Sequence, residues 1–393
     1  MFGGLSALEL FGAFGTAVTI FGGGVQIGRK FYSSGSELRK ALHNLKLEQD
    51  RSSALADNFE SIRSVLDDET DVWLRSPPDL GKHITQIRSS IPIITVCNFK
   101  GGVGKTTLTS MLAGYFDLYK YKRVLLVDFD YQGSLTDALL GAANLPHKEA
   151  SSPHLIEGGK AAGDAVAHAY PLHPVLSATK IFTSFYVFNR LENRVMMRWI
   201  ADNESDARYA THRVLSDPAV QNNFDIVIID APPRLSTGTV NAFCASTHVL
   251  IPTILDSMST QAALNTLKVV EEFRAKLNPG LEVLGIVPTL VNQIDLNQRE
   301  LDHLERMVAR LPEYWGQAPP PHVFKDTRIC RKAAISGALG TALAYSATPA
   351  VRSMTIALGD AITERLFHDS EVPSDPPPAS RNVSSNDNAG LRV

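Results

Sequence analysis

The chain has 393 residues, with 38 Lys and Arg against 41 Asp and Glu, and 44% of its residues are hydrophobic. This length suits one large α/β domain with appendages, and the near-balanced charge gives no overall basic character that would argue for nucleic-acid binding, leaving only local patches to consider. Three widely spaced cysteines, Cys97, Cys244 and Cys330, offer neither a disulfide framework nor a metal-ligand pair and suit a reducing, cytoplasmic setting.

In chain order, the first feature is apolar. From Leu5 to Ile27 the one charged side chain is Glu9, and these 23 residues are enough to cross a bilayer. Arg29 and Lys30 follow, which by the positive-inside rule would keep the remainder in the cytoplasm. The stretch is also rich in glycine and only moderately apolar, so two readings stand. One is membrane contact through residues 5–27, the other an apolar arm packed on the domain or on a partner. Residues 1–31 are set apart as this N-terminal arm.

Residues 32–90 read as a helical linker region. Leu38, Leu42 and Leu45, then Leu55, Phe59, Ile62 and Leu66, recur near helical spacing, and Pro77-Pro78 ends the pattern. From residue 91 strand-like and helical runs alternate. Val124–Val127, Ile226–Ile229, Val249–Ile251 and Val283–Val287 are short and apolar on both faces, as buried parallel strands are. Helical stretches are expected at Gln261–Leu277, Asn297–Leu311 and Val351–Phe367. The alternation predicts a mostly parallel β-sheet flanked by helices on both faces over residues 91–368. Residues 369–393, rich in Pro, Ser, Asn and Asp, read as a disordered tail.

The chemistry concentrates at the carboxyl ends of three of these strands. Asn98-Phe-Lys-Gly-Gly-Val-Gly-Lys-Thr-Thr107 follows an apolar run, Ile91 to Cys97, and opens a helix with Leu108, Met111, Leu112, Tyr115 and Phe116 on one face. Strand, glycine-rich loop and helix form the context of a phosphate cradle, in which backbone N–H groups and the helix N-terminus face the anion. Lys105 would reach the β- and γ-phosphates and the Thr106 hydroxyl would sit on Mg²⁺. Asp128 and Asp130 end a second strand, in Val124-Leu-Leu-Val-Asp-Phe-Asp-Tyr-Gln-Gly-Ser134. Asp230 ends a third, in Phe224-Asp-Ile-Val-Ile-Ile-Asp-Ala-Pro-Pro-Arg234, where it would hold Mg²⁺ through water at the same sheet edge.

Lys100-Gly-Gly-Val-Gly-Lys-Thr-Thr107 resembles the deviant Walker A motif of the ParA/MinD family of dimerising P-loop ATPases: Phe99 stands where an ordinary P-loop has its first glycine, and a second lysine, Lys100, directly precedes the paired glycines. The resemblance covers about residues 91–367 and implies ATP and Mg²⁺ as cofactors, held by Gly101, Gly102, Val103, Gly104, Lys105, Thr106 and Thr107. It implies that Lys100 crosses a dimer interface to the partner's nucleotide. The second strand end is similar to the family's Asp-x-Asp-Pro-Gln-Gly switch, with Tyr131 where proline is common, so Asp130 would position the attacking water and Asp128 would support Mg²⁺ and the switch. Lys100, Lys105 and Asp130 are thus the expected catalytic residues.

Downstream the likeness loosens. Asn292 stands where relatives read adenine, and a turn residue is the other reading. Val323–Ile329 resembles the family's last strand, followed by Arg331-Lys332 where Glu-Ala-Pro is common. With Lys325 and Arg328 this makes a basic cluster, read either as a solvated face or as a site for non-specific DNA, as in ParA relatives. The implied function is a slow, switch-like ATPase, homodimeric on ATP binding, that partitions or positions DNA or another cargo and is stimulated by a partner protein of unknown identity. The alternative is a membrane-associated regulatory or scaffold ATPase that gates a partner, including one in antiphage defence.

Overall fold

The structure is a computed structural model. It describes residues 89–368 with short gaps at 147–148, 158–161, 203–205, 292–294 and 339–341, together with residues 72–75 and four positions further upstream. The chain divides into two units, Met1–Asp67 and Asp68–Val393. In the first, the described positions Lys40, His43, Lys46 and Leu47 are helical and exposed; the arm expected at 1–31 and the tail expected at 369–393 lie outside the described residues.

The second unit is built on an eight-stranded sheet. In chain order the strands are β1 (Ile93–Val96), β2 (Val124–Asp128), β3 (Tyr170–Pro171), β4 (Thr179–Phe182), β5 (Ile226–Asp230), β6 (His248–Thr253), β7 (Glu282–Val291) and β8 (Ile329–Cys330). Their spatial order is β3-β4-β2-β5-β1-β6-β7-β8. All neighbours are parallel except β3, which runs antiparallel to β4 at one edge. Its helices include α1 (Lys105–Gly114), α2 (Ser134–Ala142), α3 (Val187–Asp202), α4 (Ala210–Leu215), α5 (Thr237–Ala245), α6 (Ser257–Lys276), α7 (Gln298–Tyr314) and α8 (Pro349–His368).

Period-two side-chain alternation divides the core into two layers. Ile94 and Val96 of β1, Leu126 of β2, Ile228 of β5, Leu250 of β6 and Val287 of β7 point to one face. There they join Leu108, Met111 and Leu112 of α1 and Val351, Leu358 and Ile362 of α8. Ile93, Leu125, Val127, Val227 and Ile229 point to the other face, toward Phe188 and Leu191 of α3. Val249, Ile251 and Ile286 do the same further along, toward Leu264, Leu267 and Phe273 of α6 and Leu304 and Met307 of α7. The four apolar runs expected as strands therefore lie within β2, β5, β6 and β7, and helices cover both faces as expected.

Boundaries differ where local chemistry was misread. Helix α7 does not stop at Leu311: it runs through Pro312 to Tyr314, and Trp315 N–H still donates to Leu311 O at 3.0 Å. Pro312 removes one backbone donor, yet the helix continues for two further residues past it. The strand expected across Val323–Ile329 is broken. Val323 makes an isolated parallel bridge to Ile286, and Ile329–Cys330 alone forms β8. Lys325 and Asp326 between them are exposed, leaving no apolar face to bury. Strands β3 and β4 and helix α3 have no counterpart in the sequence reading.

Candidate functional site

Every element that brings chemistry to the site ends at one edge of the sheet. Gly102 and Gly104 have φ of 74° and 85°, values that L side chains rarely adopt, so the loop between β1 and α1 needs glycine at both. The loop is held from three sides. Asn98 Nδ2 donates to Pro252 O of β6 at 2.8 Å, Phe99 N–H to Thr266 Oγ1 of α6 at 3.1 Å, and Thr289 Oγ1 of β7 to Val103 O at 2.7 Å. Asn98 and Thr289 are fully buried supports that the sequence reading assigned no role; only their place in the folded sheet shows it.

Lys105, the first residue of α1, is 7% exposed, and its ammonium donates to Lys100 O of the same loop at 3.1 Å. Thr106 Oγ1 donates to Asp230 Oδ2 at 2.7 Å, joining the glycine loop to the end of β5. The other carboxylate oxygen, Asp230 Oδ1, is buried and has no hydrogen-bond partner among the described residues. Burial pushes the Asp230 carboxyl up to about 7, against the opposing pull of the Thr106 hydrogen bond and the Lys105 charge. An unpartnered buried carboxylate oxygen beside a hydroxyl is a set of hard oxygen donors that fits Mg²⁺.

Asp128 pairs in register with Asp230 across β2 and β5. Its carboxyl is raised well above the ordinary range by burial, with the Asp230 charge adding to the effect. Both its oxygens are engaged: Oδ1 accepts from Asp130 N–H at 3.0 Å, and Oδ2 from Thr136 N–H and Oγ1 at 3.0 and 2.7 Å. Asp128 thus fixes the first turn of α2 and the backbone of Asp130. Asp130 is half-buried, and its Oδ1 accepts from Gln132 N–H at 3.0 Å. A cavity of about 550 Å³ opens between these parts, lined by Gly102, Lys105, Thr106, Asp130, Pro233 and Leu290 among others. Leu290, absent from the sequence expectations, is held at φ 53°, a strained value for leucine. Asn292 lies outside the described residues.

Lys100 does not enter this cavity. Its ammonium donates to Ser259 Oγ at 2.8 Å and pairs with Asp256 at 3.5 Å, where Asp256 caps α6 by accepting from Ser259 N–H at 2.7 Å. Although burial acts to raise it, hydrogen bonds from Ser259 and the Lys100 charge hold the Asp256 carboxyl below its ordinary value. Lys325, Arg331 and Lys332 are exposed, and Arg328 is half-buried. Cys97, directly after β1, is a buried thiol pushed up to about 12 by desolvation, and so is chemically quiet.

A family profile described as an AAA domain matches residues 91–283. The chain is 33% identical over 231 residues to the chromosome-partitioning ATPase Soj of Thermus thermophilus, covering 59% of this chain and 80% of that protein. Among solved structures, apo McdA from Cyanothece superposes with a TM-score of 0.55 at 19% identity, covering 70% of this chain and 99% of that one. Cobyrinic acid a,c-diamide synthase from Mycobacterium smegmatis with bound ADP and magnesium gives 0.54 at 22% identity, covering 73% and 100%. At these identities the structural matches establish the shared fold.

Proposed function

The chain belongs to the ParA/MinD-like family of P-loop ATPases, and from that membership we propose that it is a Mg²⁺-dependent ATPase whose ATP-bound form is a sandwich dimer. The dimer acts as a switch for partition or positioning of DNA or another cargo. The observation that carries the reading is the contact between Thr106 and Asp230, made beside Lys105 and Asp130 at one cavity. It joins residues 124 positions apart, as a shared phosphate and metal site would require.

In this reading Gly101, Gly102, Val103, Gly104 and Thr107 wrap the phosphates with backbone N–H groups at the start of α1. Lys105 leaves the Lys100 carbonyl and neutralises charge on the β- and γ-phosphates. Thr106 and Asp230 hold Mg²⁺, which supplies charge neutralisation to the phosphate oxygens when bound. Asp128 supports Mg²⁺ and the switch from behind, holding the Asp130 backbone and the α2 terminus in place. Asp130 orients a water for in-line attack on the γ-phosphate. Lys100 contacts the partner's nucleotide, and to do so it breaks its bonds to Ser259 and Asp256. Asn292 stays a candidate adenine contact.

The partition role rests on the likeness to Soj, described as a chromosome-partitioning ATPase. The exposed Lys325, Arg331 and Lys332 are the candidate surface for non-specific DNA. Lys105→Ala tests the nucleotide assignment. Isothermal titration with MgATP should show loss of binding of at least about 100-fold, because the main phosphate cation is gone. Unchanged affinity would move the site elsewhere.

A further inference from the structure

Two loops flank the cavity, one after β2 carrying Asp130 and one after β5 carrying Pro233. Their tips are joined by side chains that lie outside the cavity lining. The guanidinium carbon of Arg234 sits 5.1 Å from the centre of the Tyr131 ring, within the range of a cation–π contact. Tyr131 follows Asp130 directly, and its ring meets Tyr186 edge-on at 6.4 Å. Arg234 Nη2 also donates to Glu192 Oε2 at 2.8 Å and to Asn189 Oδ1 at 3.1 Å, both on α3.

Glu192 is the fixed point of this arrangement. Its side chain is 3% exposed, whereas that of Arg234 is 43% exposed. Its second oxygen, Oε1, accepts from Ser236 Oγ at 2.6 Å and from Gly238 N–H at 2.8 Å, so one carboxylate holds both Arg234 and the start of α5. Gly238 allows the approach, since a Cβ there would come within 3.1 Å of Glu192 Oε1. Thr239 Oγ1 returns to Arg234 O at 2.7 Å and fixes the arginine's backbone. A buried acid bonded this fully is a rigid anchor, and a half-exposed arginine reaching from it to a neighbouring loop is a clamp.

We propose that Arg234, anchored by Glu192, clamps the Asp130 loop through the Tyr131 ring, so that the loops after β2 and β5 close on the γ-phosphate as one unit. Arg234 and Tyr131 are positioning residues: they touch no reacting atom and act by holding the Asp130 carboxylate where water is oriented. The inference rests on the ATPase reading above. A loop free of the clamp still binds nucleotide, because Lys105, Thr106 and the glycine loop are untouched, but it samples orientations of Asp130 that do not hydrolyse. The loss therefore falls on kcat and spares KM.

The experiment measures steady-state MgATP hydrolysis by the full chain and by Tyr131→Leu, Arg234→Ala, their double variant, Tyr131→Phe and Arg234→Lys, with thermal melting as a check on folding. Tyr131→Leu and Arg234→Ala should each lower kcat by about three- to tenfold with KM for ATP within about twofold, and the double variant should be no slower than the slower single. Tyr131→Phe, which keeps the ring face, should stay within about twofold of the parent. Arg234→Lys, which keeps the charge but not the flat guanidinium, should fall between, and it carries the test if the alanine variant does not fold. Unchanged kcat in the single variants, losses that multiply in the double, or Tyr131→Phe falling as far as Tyr131→Leu would overturn the clamp while leaving the ATPase reading intact. A parent chain without MgATP turnover would overturn both.

Discussion

Asp230 carries two opposed demands. It sits fully buried beside Asp128, and burial holds its carboxyl near 7, well above its ordinary 3.8. A group whose folded pKa is raised contributes stability that is complete below the unfolded pKa and is lost as pH rises through the folded one. The nucleotide-free chain should therefore lose stability from this residue between about pH 4 and pH 7. Asp230→Asn keeps an acceptor for Thr106 and removes the charge. By thermal melting without nucleotide it should match the parent at pH 4 and exceed it above pH 7 by up to about 4 kcal/mol, while losing protection by MgATP. A variant melting below the parent at pH 8 would show that the charge is better solvated than its burial implies. Much of this scale was legible in the sequence: strand-end acids and a glycine loop are local patterns, and the structure brings Lys105, Thr106 and Asp130 to one cavity, with the buried Asp230 bonded to Thr106. The hold of Ser259 and Asp256 on Lys100 was not legible, because it joins residues more than 150 positions apart with no local signature.

Among the elements, those buried on both faces were the easiest to read, since β1, β2 and β5 are mostly apolar and every residue in them is buried. Strands β3 and β4 escaped for the opposite reason. In β4, Thr179–Phe182, Lys180 is exposed, and β3 is a two-residue strand. Helix α3 lies in a segment of mixed polarity, yet it supplies Glu192 and Asn189 to the loop after β5. Its Trp199 also stacks on Trp73 at 5.7 Å with Arg208 against the same ring at 4.8 Å, binding residues 72–75 to this unit. Helix α7 offers a test of element energetics apart from the site. Asn297 accepts from Glu300 N–H and Glu300 returns to Asn297 N–H, both at 3.0 Å, a reciprocal cap on an exposed start. Asn297→Ala should cost about 1 kcal/mol in chemical denaturation and leave MgATP affinity unchanged. A loss of nucleotide affinity there would tie α7 to the site in a way its cap does not suggest.

At the scale of the molecule, the order β3-β4-β2-β5-β1-β6-β7-β8 explains why the three motifs meet. Strands β2, β5 and β1 are adjacent and parallel, so the residues that follow them emerge at one edge in the order Asp130, Pro233 and the glycine loop. Chain order alone does not give this adjacency, because β5 enters the sheet between two strands formed some hundred residues earlier. Among the described residues no helix is long and apolar enough to cross a membrane, and the stretch 5–27 lies outside them. The central claim is that ATP drives two copies together and that hydrolysis releases them. Light scattering on size-exclusion chromatography of Asp130→Ala, run with MgATP and with MgADP, tests it most directly. The account predicts twice the monomer mass with ATP and the monomer mass with ADP, with little turnover of the bound ATP. One mass in both nucleotides, with ATP shown to be bound, would contradict it.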